Sequence, residues 1–220
     1  MFGTYRTILA LFVMIGHLFG PYQLGIYSVF GFYTLSGYLM TLVMQTSYGY
    51  TADGFRRFLF NRFLRIYPSY YAAIGFSVLL LLIFKEEVTQ FKQNIFLPSK
   101  LEEYFHNLLI IFPRDTLLRL SPASWALTIE IFFYMCICFG LSRNKQRSIV
   151  WFVISLVITV YLLIFSKSWQ DRYYTIAAAS LPFSIGALIY HNCSCFKKVL
   201  EVLRIKSPIF WLVLMVFNFT

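Results

Sequence analysis

The chain has 220 residues, of which 59% are hydrophobic and only 13% charged, and its formal net charge is +10. Soluble domains are nearer half apolar and a quarter charged, so the composition excludes an ordinary soluble domain and predicts an integral membrane protein. A positive charge of this size is typical of nucleic-acid binding. Here the basic residues fall in short clusters between apolar segments, which excludes that class of protein.

Seven apolar segments are predicted to cross the membrane, so the expected fold is an all-α, polytopic helix bundle. Each main segment is near the roughly 20 residues that a helix needs to cross the hydrocarbon core. The segments are 5–22, 25–45, 66–84, 122–141, 148–166, 173–190 and 208–220. No internal repeat or polar linker separates them, and we expect one membrane domain over residues 1–220.

The distribution of basic residues predicts that the N-terminus is cytoplasmic. In this orientation the inner segments hold twelve of the 19 Lys and Arg residues and only two acidic residues. These inner segments are 1–6, 46–65, 142–147 and 191–207. An excess of this kind follows the positive-inside rule.

The first span carries two basic side chains, Arg6 and His17. They are eleven positions apart, so on a helix they share one face and lie about 16 Å from each other. An ionisable ring inside an apolar helix is a candidate functional residue. The alternative interpretation of His17 is a packing residue that is hydrogen-bonded to a neighbouring helix.

The second span has Ser36 and Gly37 near its middle. Small residues allow helices to approach closely, and a hydroxyl group can bond to another helix. We therefore expect helix packing at this position rather than a nucleophilic serine.

A basic and aromatic segment, residues 55–68, leads into the third span and contains Arg62, Arg65 and Pro68. Arg62 and Arg65 are three positions apart and so share a helix face. One interpretation is an interfacial helix that is anchored by its arginines and aromatic rings. Another is a phosphate clamp, because guanidinium groups present a fixed fork of donors to phosphate oxygens. The two interpretations are compatible.

The outer segment 85–121 is the one sizeable loop that the sequence predicts. Its apolar stretch, residues 104–112, is too short to cross the membrane. We expect a surface-lying or re-entrant piece there.

The fourth span contains a carboxylate, Glu130, roughly 12 Å from its outer end. A carboxylate among Ile and Phe side chains must be protonated or paired within the bundle. Pairing with His17 would orient the imidazole and favour its charged form. The alternative is a structural hydrogen bond to another helix.

The four cysteines do not predict a disulfide framework. Cys136 and Cys138 lie within a span, and Cys193 and Cys195 lie on the inner side, where thiols stay reduced. Cys193 and Cys195 near His191 lack a second pair of ligands. Ordinary thiols are therefore expected, and no metal site.

Taken together, these segments resemble the acyltransferase-3 family of membrane-bound bacterial O-acyltransferases that modify surface polysaccharides. Four parts carry the resemblance, in the family's order. They are Arg6 and His17 of the first helix, the Phe32–Gly37 stretch, the Arg62–Arg65–Pro68 element, and Trp125, Leu127, Glu130 and Tyr134 of the fourth span. Residues 5–140 carry the specific part of this similarity.

The resemblance implies an acyltransferase of the bacterial inner membrane that carries out O-acetylation or a related polysaccharide modification. Its donor would be cytoplasmic acyl-CoA, most simply acetyl-CoA, and its acceptor a hydroxyl of a surface polysaccharide or lipid-linked oligosaccharide. On this basis His17 and Glu130 are expected to be catalytic, His17 as general base, and Arg6, Arg62 and Arg65 to bind the phosphates of CoA. Membrane lipid is the expected surrounding partner, and no nucleic acid is expected.

Two features keep other functions open. Members of the family usually have about ten helices, so the resemblance implies that this chain stops within the seventh and is a truncated or shorter form, which leaves an inactive relic as one alternative. Intramembrane His and Glu residues are also typical of proton relays, so a proton-coupled transporter or flippase of a lipid-linked glycan is another. Inverted repeats would favour transport, and the sequence shows none.

Overall fold

The computed structural model describes residues 2–20, 22–84, 97–98, 100–111, 119–121 and 124–192. Within these ranges it contains helices and no β-strand. The helices are α1 (Phe2–Phe19), α2 (Tyr22–Val43), α3 (Ala52–Ile83), α4 (Leu101–Leu109), α5 (Ser124–Cys138), α6 (Lys145–Phe165), α7 (Trp169–Tyr173) and α8 (Ile176–His191). A π-helical turn, Met44–Tyr48, extends α2.

The predicted all-α membrane bundle is confirmed. Four helical segments of the described part are long and apolar enough to cross a membrane, namely Gln23–Tyr48, Ala52–Ile83, Lys145–Phe165 and Trp169–His191. Two shorter apolar helices, Gly3–Phe19 and Ser124–Cys138, correspond to the first and fourth predicted spans. The seventh predicted span, Cys193 and Cys195 lie outside the described residues. The cytoplasmic N-terminus stays a prediction.

The third span differs from its predicted bounds, because α3 runs without interruption through the basic segment and through Pro68. The helix begins where the Thr51 hydroxyl accepts a hydrogen bond from the Gly54 N–H at 3.1 Å. Proline removes one backbone donor, and here the helix continues on both sides of it. Arg62 and Arg65 therefore lie on the same continuous helix as the predicted third span.

Helix α8 lies at the centre, packed against α2 and α6, while α1 packs on α2. Glycines permit a very close approach of α2 and α8. A Cβ added at Gly186 would lie 2.0 Å from the carbonyl oxygen of Thr34, and one at Gly37 would lie 2.1 Å from that of Phe183. The packing role predicted for the Ser36–Gly37 pair agrees with this contact.

Replacing Gly186 with Ala is expected to destabilise the protein, because the new methyl group would overlap the α2 backbone. Overpacking of this kind costs about 1–3 kcal/mol. The measurement is the thermal unfolding midpoint in detergent. Gly75→Ala is the matched control, since a Cβ at Gly75 meets nothing within 4 Å and alanine favours a helix by roughly 0.5–1 kcal/mol. Equal midpoints for the two variants would contradict the close contact.

Three tyrosines of α3 form hydrogen bonds with the C-terminal end of helix α4. The hydroxyls of Tyr70, Tyr71 and Tyr67 donate hydrogen bonds to the carbonyl oxygens of Asn107, Leu108 and Leu109, at 2.8, 3.0 and 3.0 Å. The last carbonyls of a helix have no partner within it, so these bonds satisfy groups that would otherwise be left open. The predicted non-spanning piece of the outer loop is therefore a short helix docked on α3.

Candidate active site

The carboxylate of Glu130 connects α5 to α2. Its Oε1 accepts a hydrogen bond from the hydroxyl of Ser36 at 2.7 Å and a second, short one from the hydroxyl of Tyr134. Hydrogen bonds to a charged acceptor are about twice as strong as neutral ones, and they satisfy a carboxylate that lies among apolar side chains. The alternative interpretation of Glu130, a structural hydrogen bond to another helix, agrees with its contact to Ser36.

Arg62 lies beside this carboxylate–tyrosine pair. Its guanidinium carbon is 5.5 Å from the centre of the Phe58 ring, and the Phe58 ring is in edge contact with Tyr134 at 6.4 Å between centroids. The Nε and Nη1 atoms of Arg62 are buried and have no hydrogen-bond partner among the described residues. Buried donors are normally paired, so these two atoms indicate a place for an acceptor that the described residues do not supply.

Arg6, on α1, lies near the same group of side chains. It is half-buried and interacts electrostatically with Arg62, Arg65, Glu130 and Tyr134. We call Arg6, Arg62 and Arg65 the arginine cluster. Three arginines near one carboxylate leave a surplus of positive charge, which suits a polyanion such as a phosphate ester.

His17 lies at the other end of α1, in its last turn, and its side chain is exposed. It is eleven residues from Arg6, a separation of about 16 Å along the helix. The structure thus brings Arg6, Arg62, Arg65 and Glu130 together. It places His17 near the opposite end of α1 from Arg6. The pairing of Glu130 with His17 stays a prediction.

Two residues of the site, Tyr134 and Ser36, form hydrogen bonds to Glu130 that were not predicted from the sequence. Tyr134 is four positions after Glu130, and side chains at this spacing meet on a helix face, so their contact could have been predicted. Ser36 is 94 positions from Glu130, and nothing in the spacing indicates their hydrogen bond.

The described residues contain no group of three or more His, Cys, Asp or Glu that could hold a metal ion. What they offer chemically is a positively charged cluster near the N-terminal end of α1, in which Arg62 has two buried donor atoms. A histidine, His17, lies near the C-terminal end of the same helix. This combination can bind an anionic donor at the first place and exchange a proton at the second.

Comparison with known proteins bears on the same residues. A family model described as an acyltransferase domain, that of the acyltransferase-3 family, matches residues 4–219. No curated protein and no solved structure shows significant similarity to the chain. The family match includes all the arginines, the histidine and the carboxylate described above, and it indicates a membrane acyltransferase that uses an acyl donor. With nearly its whole length matched, the chain belongs to the acyltransferase-3 family.

Proposed function

We propose that the protein transfers an acyl group, most simply acetyl, from acyl-CoA to a hydroxyl of a surface glycan or a lipid-linked sugar. The observation that carries this proposal is the arginine cluster, in which Arg62 keeps two buried donors without a partner among the described residues. Membership of the family supports acyl transfer in general. The donor and the acceptor are our inference.

The phosphates of acyl-CoA fit the arginine cluster. Arg62 can give two hydrogen bonds from its free Nε and Nη1 atoms, and Arg6 and Arg65 add positive charge nearby. Arginine binds phosphate through a rigid fork of donors, which fixes the orientation of the ligand as well as holding it. The part of the donor beyond its phosphates would then extend along α1, over about 16 Å, to bring the thioester towards His17.

His17 acts in this proposal as the general base. Its imidazole takes the proton from the acceptor hydroxyl, and the oxygen attacks the thioester carbonyl carbon. The new C–O ester bond forms, the C–S bond breaks, and the leaving CoA sulfur takes the proton back from the imidazolium. Glu130 supports the reaction as a charge-balancing group for the cations around it.

The proposed orientation places the arginine cluster at the cytoplasmic face of a bacterial inner membrane. This rests on the excess of basic residues in the predicted inner segments. It would admit acyl-CoA from the cytoplasm and deliver the acyl group towards the opposite face, where His17 lies.

The test is expression of the chain in a bacterial host that lacks its own enzyme of this kind, with mass spectrometry of the surface glycan. We expect an added mass of one acyl group per modified sugar, removable by mild base as an ester is. A glycan without ester, together with proton-driven movement of a lipid-linked glycan, would overturn the proposal in favour of a transporter.

A further inference from the structure

A cavity lies apart from the arginine cluster. It has a volume of about 980 Å³ and opens between α2, α6 and α8, with α7 at its mouth. Gly20, three residues after His17, is part of its wall. The cavity therefore begins at the level of the proposed base, and its size is that of a site for a sizeable ligand.

The depth of the cavity corresponds to one leaflet of a membrane. Its lining residues on α2 extend from Gln23 to Thr34, eleven positions or about 16 Å, and half of a typical hydrocarbon core is about 15 Å. The inner part of the wall is largely apolar, with Phe30, Leu163 and Ile185 among its members. These dimensions and this chemistry suit a single lipid chain.

The mouth of the cavity carries a cation. Arg172 donates from Nη2 to the carbonyl oxygen of Ser166 at 2.6 Å, which fixes its guanidinium group. Its Nε atom is buried and has no hydrogen-bond partner among the described residues. A phosphate oxygen is the acceptor that this group fits best, because it adds opposite charge to the missing hydrogen bond.

Two aromatic rings flank the same mouth. The side chains of Trp169 and Tyr27 line the cavity and are 53% and 54% exposed. Gln23 lies beside them and offers both an amide donor and an acceptor. Aromatic faces pack on the C–H faces of a sugar ring, while amide groups bond to its hydroxyls.

We propose that this cavity binds a lipid-linked sugar phosphate, with its chain between α2, α6 and α8, its phosphate on Arg172 and its sugar at Trp169. The proposal rests on the proposed function, since it names the acceptor as a lipid-linked sugar held close to His17. The sugar hydroxyl to be acylated then lies at the same end of the helix bundle as His17, the proposed base.

The first test measures binding without any acyl donor, so that it is independent of catalysis. Purified protein in detergent is titrated with farnesyl-diphosphate-linked N-acetylglucosamine, and binding is followed by native mass spectrometry. We expect Arg172→Gln to weaken binding about tenfold or more, as loss of a charge-assisted hydrogen bond does. Lys167 is an exposed cation between α6 and α7 that does not line the cavity, so the Lys167→Gln variant should bind as the wild type does.

A second pair of variants tests the chain-binding part. Leu163→Trp places a large ring in the cavity and should lower the affinity for the probe, whereas Ile164→Trp, the exposed neighbour outside the lining, should not. Thermal unfolding of each variant shows that it is folded. Equal affinity in the two tryptophan variants, or in Arg172→Gln and Lys167→Gln, would overturn the proposal. So would equally tight binding of phosphatidylglycerol, which would make the cavity a site for ordinary anionic lipid.

Failure of this proposal and failure of the proposed function give different results. Binding that depends on Arg172, without ester formation when acyl-CoA is supplied, would refute acyl transfer and leave the cavity assignment intact. Ester formation on the glycan, with probe binding that ignores Arg172 and Leu163, would refute the cavity assignment alone.

Discussion

His17→Ala is expected to reduce acyl transfer by about 10²–10⁴-fold, the range that general-base catalysis typically contributes. The reason is that the acceptor hydroxyl would keep its proton during attack on the thioester. The measurement is transfer of labelled acetyl from acetyl-CoA to the glycan in isolated membranes, with the amount of protein normalised by immunoblot. His17→Gln should be equally inactive, since an amide hydrogen-bonds but does not accept a proton at neutral pH.

The matched control is His106→Gln, which changes a histidine on the docked helix α4, away from the proposed site. His106 Nδ1 lies 2.6 Å from the carbonyl oxygen of Ile111, a structural contact. This variant should keep its transfer activity. Wild-type rates in both His17 variants would refute the assignment of His17 as the base.

Glu130→Gln distinguishes two roles of the carboxylate. If Glu130 pairs with His17, as expected from the sequence, kcat falls with little change in the KM for the donor. A higher KM with an unchanged kcat would show instead that Glu130 acts through Arg6 on donor binding. The hydrogen bonds from Ser36 and Tyr134 can still form with an amide oxygen, so the variant is expected to fold.

Arg62→Lys is expected to raise the KM for acyl-CoA about tenfold or more, although the positive charge is kept. Lysine offers a compact ammonium group instead of a fork, and it cannot place two donors where Nε and Nη1 of Arg62 now lie. Hydrogen bonds to charged groups contribute about 1.5–3 kcal/mol each, which sets the size of the effect. The measurement is the dependence of the initial rate on acyl-CoA concentration at saturating acceptor.

Arg57→Lys is the control on the same helix. Arg57 forms an exposed ion pair with Asp53 at 3.0 Å, one turn away from the arginine cluster, and such pairs contribute little. Its KM should equal that of the wild type. If Arg62→Lys also left the KM unchanged, the cluster would be a membrane anchor rather than a donor site.

The sequence predicts the fold class and the positions of most helices because apolar length decides both in a membrane. It does not predict where α3 begins. The arginines and Pro68 suggest a separate interfacial helix. In the structure, α3 begins at the Thr51 cap and continues without a break through Pro68.

Of the candidate site, the arginines and Glu130 could be predicted from residue type and spacing, since charges within a bundle need a reason. The bond from Ser36 to Glu130 and the tyrosine caps of α4 could not, because each joins residues far apart in the chain. The same holds for the cavity beside α8. Its wall combines residues of α2, α6, α7 and α8, which are far apart in the chain.

The length of α3 has one further consequence. Its 32 residues measure about 48 Å, well beyond a hydrocarbon core of about 30 Å, so the helix must tilt or project into the headgroups. The tilt of a helix depends on hydrophobic mismatch. Arg62 lies on this helix, so its position relative to the membrane surface changes with the tilt. If Arg62 binds the donor as proposed, the affinity for the donor would depend on bilayer thickness, and lipids of longer or shorter chains would change it.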